Sequence, residues 1–163
     1  MALIDVNGTQ IHYLDEGPRD APAIVFSNSM FFDVTMFEKQ AAAFADNYRV
    51  VRYDHRGQGG STKAPRDKLD MDTLADDTAA LIEALGLQKC CFVGNSMGGF
   101  IALRLAARRP DLIASAVIMG SSADAEVSVE AMDAVVEVIE QNGVSPVVED
   151  VLYFMLGDTT LND

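Results

Sequence analysis

The sequence predicts an α/β fold: a mostly parallel sheet with helices on both faces and an antiparallel hairpin at its N-terminal edge. Three observations predict it. Short apolar runs at Ala23–Phe26, Cys90–Val93 and Ile113–Met119 lack the polar alternation of a half-exposed strand, as expected where helices cover both faces. Stretches with helical spacing of apolar residues separate them, which calls for parallel strands joined by right-handed crossovers. At the start, Asn7-Gly8 lies between Ala2–Val6 and Thr9–Leu14, and this dipeptide supplies the two positive φ angles of a tight type I′ turn.

The elements follow in order. Behind the hairpin and the strand at Ala23–Phe26, residues Val34–Ala45 read as a helix, and Tyr48–Tyr53 as a strand with Val50-Val51 at its centre and Arg49 and Arg52 beside them. Leu74, Thr78, Leu81, Ile82 and Leu85 share one helical face; Thr73 and Asp76 suit a capping box ahead of it, and Gly86 suits its end. The strand at Cys90–Val93 runs into a turn at Gly94–Gly98 and a helix that stops near Arg109, ahead of Pro110. After Ile113–Met119 and Gly120 the character changes. Val129, Met132, Val135, Val136 and Ile139 make one amphipathic helix stopped by Asn142-Gly143, and Val147, Val148, Val151, Leu152 and Met155 make a second stopped by Gly157. Residues 1–122 are therefore expected to form a core and 123–163 the start of a helical cap.

Composition narrows the function. A chain of 163 residues, 49% of them apolar, can bury one ordinary core. Its formal charge of −13 argues against nucleic acid or an anionic membrane as partner. No run has the length of a signal peptide's apolar region or of a membrane span, so a cytoplasmic protein is expected. Cys90 and Cys91 are neighbours on a strand and point to opposite faces, which disfavours a disulfide between them. Only His12 and His55 could join them at a metal, and neither stands at ligand spacing; no metal or cofactor is expected.

The chemistry lies at Gly94-Asn95-Ser96-Met97-Gly98, which fits G-x-S-x-G. The pattern alone is short enough to arise by chance in a glycine-rich turn. Here a strand runs straight into it and a helix straight out, so Ser96 sits on a sharp reversal that raises its hydroxyl above the strand ends, next to helix N-terminal amides. The residues two before and two after the serine come close in such a turn, and Gly94 and Gly98 supply the small side chains.

With these residues the sequence resembles the α/β-hydrolase family. Asp54-His55-Arg56-Gly57-Gln58-Gly59-Gly60-Ser61 reproduces that family's D-x-R-G-x-G-x-S loop ahead of the nucleophile. The run Gly94 to Gly99 looks like the elbow of meta-cleavage-product hydrolases, and Ser27-Asn28-Ser29-Met30 is similar to the oxyanion segment of 3-oxoadipate enol-lactonases, although most relatives carry His-Gly where this chain has Asn28-Ser29. The likeness covers about residues 5 to 122. It implies an α/β-hydrolase-type sheet, Ser96 as nucleophile, and the backbone amides of Met97 and Met30 as oxyanion donors. Asn28, Ser29, Phe31 and Phe32 would line the substrate pocket.

A serine hydroxyl needs a base to take its proton, and the resemblance implies a histidine held by an acid, in chain order Ser, acid, His. No histidine follows Ser96. His12 lies in the opening hairpin and reads as a packing residue. His55 fills the variable position of the D-x-R-G loop and is the candidate base within this chain; Asp124, shortly after the last strand, is the candidate acid. The strand Ile113–Met119 also has no charge or proline to blunt an open edge. The expectation is that a complementary polypeptide, the C-terminal part of the same gene product, supplies the last strands, the histidine and the acid; self-association through that edge is the alternative. Alone, the chain should turn over little ester. The functions implied are hydrolysis of small carboxylic esters or lactones, carbon–carbon bond hydrolysis of dienone acids with the same parts, or a non-catalytic binding or scaffold module.

Overall fold

A computed structural model describes residues 2–123, 129–155 and 160. The chain divides into two compact units, Met1–Ala123 and Asp124–Asp163. The first contains six strands: β1 (Ala2–Val6), β2 (Thr9–Glu16), β3 (Ala23–Ser27), β4 (Arg49–Tyr53), β5 (Cys90–Asn95) and β6 (Ile113–Met119). They form one sheet in the order β1-β2-β4-β3-β5-β6. The β1–β2 and β2–β4 pairs are antiparallel and the others parallel. Helices α1 (Glu38–Phe44), α2 (Met71–Ala84) and α3 (Met97–Arg108) complete this unit.

The opening turn has φ of 45° at Asn7 and 73° at Gly8, the pair of positive angles that this dipeptide tolerates. β2 runs two residues further than its apolar pattern, because Asp15 and Glu16 are matched across the ladder by the arginines of β4. Arg49 donates to Asp15 from Nε at 3.0 Å and from Nη2 at 2.8 Å, and Arg52 Nη2 donates to Glu16 at 2.6 Å. Cross-strand charge pairing thus supplies what the hydrophobic pattern lacks.

Two helix starts differ from the sequence expectation. α1 begins at Glu38 rather than Val34, because the Val34 backbone is engaged elsewhere: its N–H donates to Asp54 Oδ1 at 2.7 Å and its carbonyl accepts from Arg52 Nη1 at 2.8 Å. Asp33 then caps a local turn, accepting from the Thr35 N–H at 2.8 Å and hydroxyl at 2.6 Å. α2 begins at Met71, and its N-cap is Asp70, whose carboxylate accepts from the N–H groups of Asp72 and Thr73 at 3.0 and 2.8 Å. Thr73 is therefore the third residue of the helix and not its cap.

The core lies on both sides of the sheet. Val25, Val51, Tyr53 and Phe92 pack with Leu74, Leu81 and Ile82 of α2 and Ile101 and Leu105 of α3. On the other face, Ile24, Phe26 and Val50 pack with Phe37 and Ala41, with the Phe26 and Phe37 rings stacked at 4.9 Å. Among the described residues β6 pairs only with β5, and Val117, Ile118 and Met119 are 47%, 38% and 37% exposed. An apolar groove on the second face, lined by Phe26, Phe37, Val93, Val117 and Met119, stays open beside it.

In the second unit, α4 (Val129–Asn142) ends at Gly143, and a 3-10 turn at Ser145–Val147 leads into α5 (Val148–Met155). No helix among the described residues is long and apolar enough to cross a membrane.

Candidate active site

Ser96 occupies the residue between the last position of β5 and the first of α3, with φ 50° and ψ −113°. An L-residue held there stores on the order of 1–3 kcal/mol of strain, so its surroundings must over-determine it. They do. The Ser96 N–H donates to the Met119 carbonyl at 2.8 Å, and the Ser96 carbonyl accepts from Gly99 N–H at 2.8 Å, Phe100 N–H at 3.0 Å and Ser121 Oγ at 2.7 Å. The glycines act through space: a Cβ on Gly94 would collide with the Gly98 carbonyl, and one on Gly98 with the carbonyl and Oγ of Ser27.

Ser121 is a residue that sequence reasoning missed. Its only signal is position, just past a strand that adjoins the elbow. Ser121→Ala is expected to cost about 1 kcal/mol of stability, the worth of one hydrogen bond, measured by urea denaturation. No change would mean that Ser121 does not help to hold the bend.

The segment after β3 lies across from the elbow. Asn28 and Ser29 are buried, whereas Met30, Phe31 and Phe32 are exposed, Phe31 at φ 71°. Asn28 Nδ2 donates to the Phe32 carbonyl at 2.5 Å, and Ser29 Oγ donates to the carbonyl of Asn95, next to Ser96, at 3.3 Å. Thus Asn28 and Ser29 brace the segment from within, and Met30 to Phe32 form its surface. The Met97 N–H opens α3, where the helix dipole favours negative charge. Among the described residues, neither the Met30 nor the Met97 N–H donates to a protein acceptor.

The D-x-R-G-x-G-x-S loop is a hydrogen-bond hub behind the site. Asp54 Oδ1 holds Val34, while its Oδ2 accepts from Gly60 N–H at 2.8 Å and lies 2.7 Å from His12 Nδ1. Ser61 Oγ donates to the Asp54 carbonyl at 2.7 Å and accepts from His12 N–H at 2.9 Å. Arg56 makes a two-pronged ion pair with buried Asp77, whose Oδ1 also accepts from Asn7 Nδ2 at 2.7 Å. Gln58 Nε2 approaches Met97 Sδ at 3.8 Å, linking the loop to the elbow. His12 is therefore buried against Asp54, a partnership that no motif at His12 signalled.

His55 is fully buried, with Nε2 at 3.0 Å from the Asn28 carbonyl. Burial lowers its pKa from 6.5 to about 4, against the opposing pull of that hydrogen bond and of Asp54 and Asp77. As pH falls, the unfolded chain takes up the proton first, so stability present above pH 6.5 is lost towards pH 4. The loss should be on the order of 3 kcal/mol, and His55→Gln should flatten it in urea titrations at pH 7 and 4.5. An unchanged slope would assign the acid sensitivity to other groups.

Asp124 lies outside the described residues. Cys90 and Cys91 are both free thiols, and burial pushes the Cys90 thiol up to about 12. Among the described residues no three His, Cys, Asp or Glu side chains converge as metal ligands would.

Comparison with known proteins adds to this geometry. The model of the α/β hydrolase fold matches residues 22–142. A 3-oxoadipate enol-lactonase of Acinetobacter baylyi is 37% identical over 132 residues, covering 81% of this chain and 48% of the relative. A bifunctional esterase/perhydrolase of Acinetobacter calcoaceticus is 41% identical over 117 residues, covering 71% of this chain and 42% of the relative. The crystal structure of an enol-lactonase from Burkholderia xenovorans superposes with a TM-score of 0.86 at 35% identity, covering 93% of this chain and 58% of that one. The chain spans about half the length of the relatives it matches.

Proposed function

The chain belongs to the α/β-hydrolase family, and from that premise we propose that it carries the nucleophile of a serine hydrolase acting on small carboxylic esters or lactones. The observation that carries the reading is Ser96 at positive φ on a strand-to-helix reversal, with the uncommitted amides of Met97 and Met30 nearby in the fold. Ser96 Oγ attacks the carbonyl carbon while an imidazole takes its proton. The two N–H groups hold the oxygen as it becomes negative, a contribution of about 3–4 kcal/mol per donor in comparable sites. The proton then passes to the leaving alkoxide, and water releases the acyl group from Ser96. Phe31 and Phe32 offer an apolar wall suited to small acyl or cyclic substrates.

The imidazole and its acid come, in this reading, on polypeptide beyond these 163 residues that also covers the open edge of β6. Two observations support it: no histidine follows Ser96, and apolar side chains line the unpaired edge and the groove beside it.

The test is rapid mixing of the completed protein with a nitrophenyl ester, followed by mass analysis. A burst of nitrophenol and one acyl group on Ser96 are expected. Binding without a burst or an adduct would replace the reading with the non-catalytic one, a pocket kept as a receptor.

A further inference from the structure

We infer that His55 is a positioning residue that fixes the peptide ahead of Met30, and so aims the oxyanion amide, rather than a proton acceptor for Ser96. The consequence for rate rests on the serine-hydrolase reading above; the consequence for the peptide does not.

A carbonyl only accepts, so the 3.0 Å contact between Nε2 and the Asn28 oxygen places the ring proton on Nε2. That leaves Nδ1 as a bare acceptor, buried and without a hydrogen-bond partner among the described residues. The ring is held edge-on against Tyr53, with centroids 4.9 Å apart at 78°. Tyr53 is itself tied through its hydroxyl to Ser27 at 2.9 Å and Thr78 at 2.8 Å. The nitrogen that is free to take a proton, Nδ1, makes no hydrogen bond to Ser96 among the described residues, while Nε2 is committed to donating. The ring is therefore placed to hold a carbonyl and not to collect a proton from Ser96.

What it donates to matters. The peptide joining Asn28 to Ser29 is gripped at both ends, its carbonyl by His55 and its N–H by Met36 Sδ at 3.4 Å. Ser29 Oγ ties the same residue to Asn95, and Asn28 Nδ2 closes the turn on the Phe32 carbonyl. The next peptide along carries the Met30 N–H, and its direction is set by these restraints. Of them, the bond from His55 comes from a fully buried ring.

The experiment compares wild type, His55→Phe and His55→Gln in the completed protein; Gln keeps an N–H donor near the Nε2 position, Phe keeps only the ring. His55→Phe should lower kcat for a nitrophenyl ester about 10- to 100-fold, with KM within about twofold, the signature of a weakened oxyanion donor. His55→Gln should stay within about threefold of wild type. Amide exchange at Ser29, whose N–H is bonded to Met36 Sδ, should quicken in the Phe variant and not in the Gln variant, whether or not the protein is an esterase. If Gln is as dead as Ser96→Ala, His55 is the base and the inference is wrong. If Phe only melts earlier, with kcat and exchange unchanged, the role is structural and the inference is equally wrong. If wild type neither turns over ester nor forms an adduct, the hydrolase reading falls, and the exchange pattern alone upholds or overturns the positioning role.

Discussion

Ser96→Ala is expected to reduce kcat of the completed protein by about 10⁵-fold or more, while leaving its thermal unfolding within a degree or two of wild type. The size of the loss follows from what the hydroxyl does: without it no acyl-enzyme forms, and water must attack the substrate directly with help only from the oxyanion amides. The small structural effect follows from the restraints on Ser96. Among the described residues, the bonds that hold Ser96 use its backbone, the N–H to Met119 and the carbonyl to Gly99, Phe100 and Ser121, and none uses Oγ. Steady-state kinetics beside a melting curve checks both halves. A variant that keeps more than a tenth of the activity would show that another residue is the nucleophile.

The largest loss of stability is expected from Arg56→Met, about 3–5 kcal/mol in urea denaturation. Arg56 and Asp77 are both buried, and Arg56 also donates to the Asn7 carbonyl at 3.1 Å. Removing the guanidinium strands a carboxylate inside the protein with one amide donor, from Asn7, still attached. The cost is therefore that of an uncompensated buried charge, well above that of one lost contact. Pairing the change with Asp77→Leu should recover most of the loss, because two apolar groups then replace two charges. A single-variant effect below 1 kcal/mol would mean that the pair is solvated and does not hold the D-x-R-G loop to α2 and the hairpin.

Much of this was legible in the sequence, and the limits have physical causes. The order of strands and helices follows from unbroken apolar runs alternating with helical spacing, and the Asn7-Gly8 turn from its two positive φ angles. The elbow was legible because steric exclusion leaves only glycine at positions 94 and 98, a constraint that shows in sequence. The start of α1 was not, because tertiary bonds from Asp54 and Arg52 capture the Val34 backbone, and periodicity carries no trace of them. The end of β2 was hidden for the same kind of reason: acidic residues extend a strand only where the facing strand offers arginines. The side chains of His12 and Ser121 make one long-range hydrogen bond each, to the loop and to the elbow, and nothing local distinguishes them from any other polar side chain.

The central claim is that Ser96 becomes reactive only when an imidazole from outside these 163 residues reaches it. A fluorophosphonate probe measures that reactivity without assuming a substrate. In the completed protein the account predicts one adduct per chain, on the peptide holding Ser96, absent in Ser96→Ala, and formed at least about 10³-fold faster than in residues 1–163 alone. Equal rates in the two, or an adduct that survives Ser96→Ala, would contradict it.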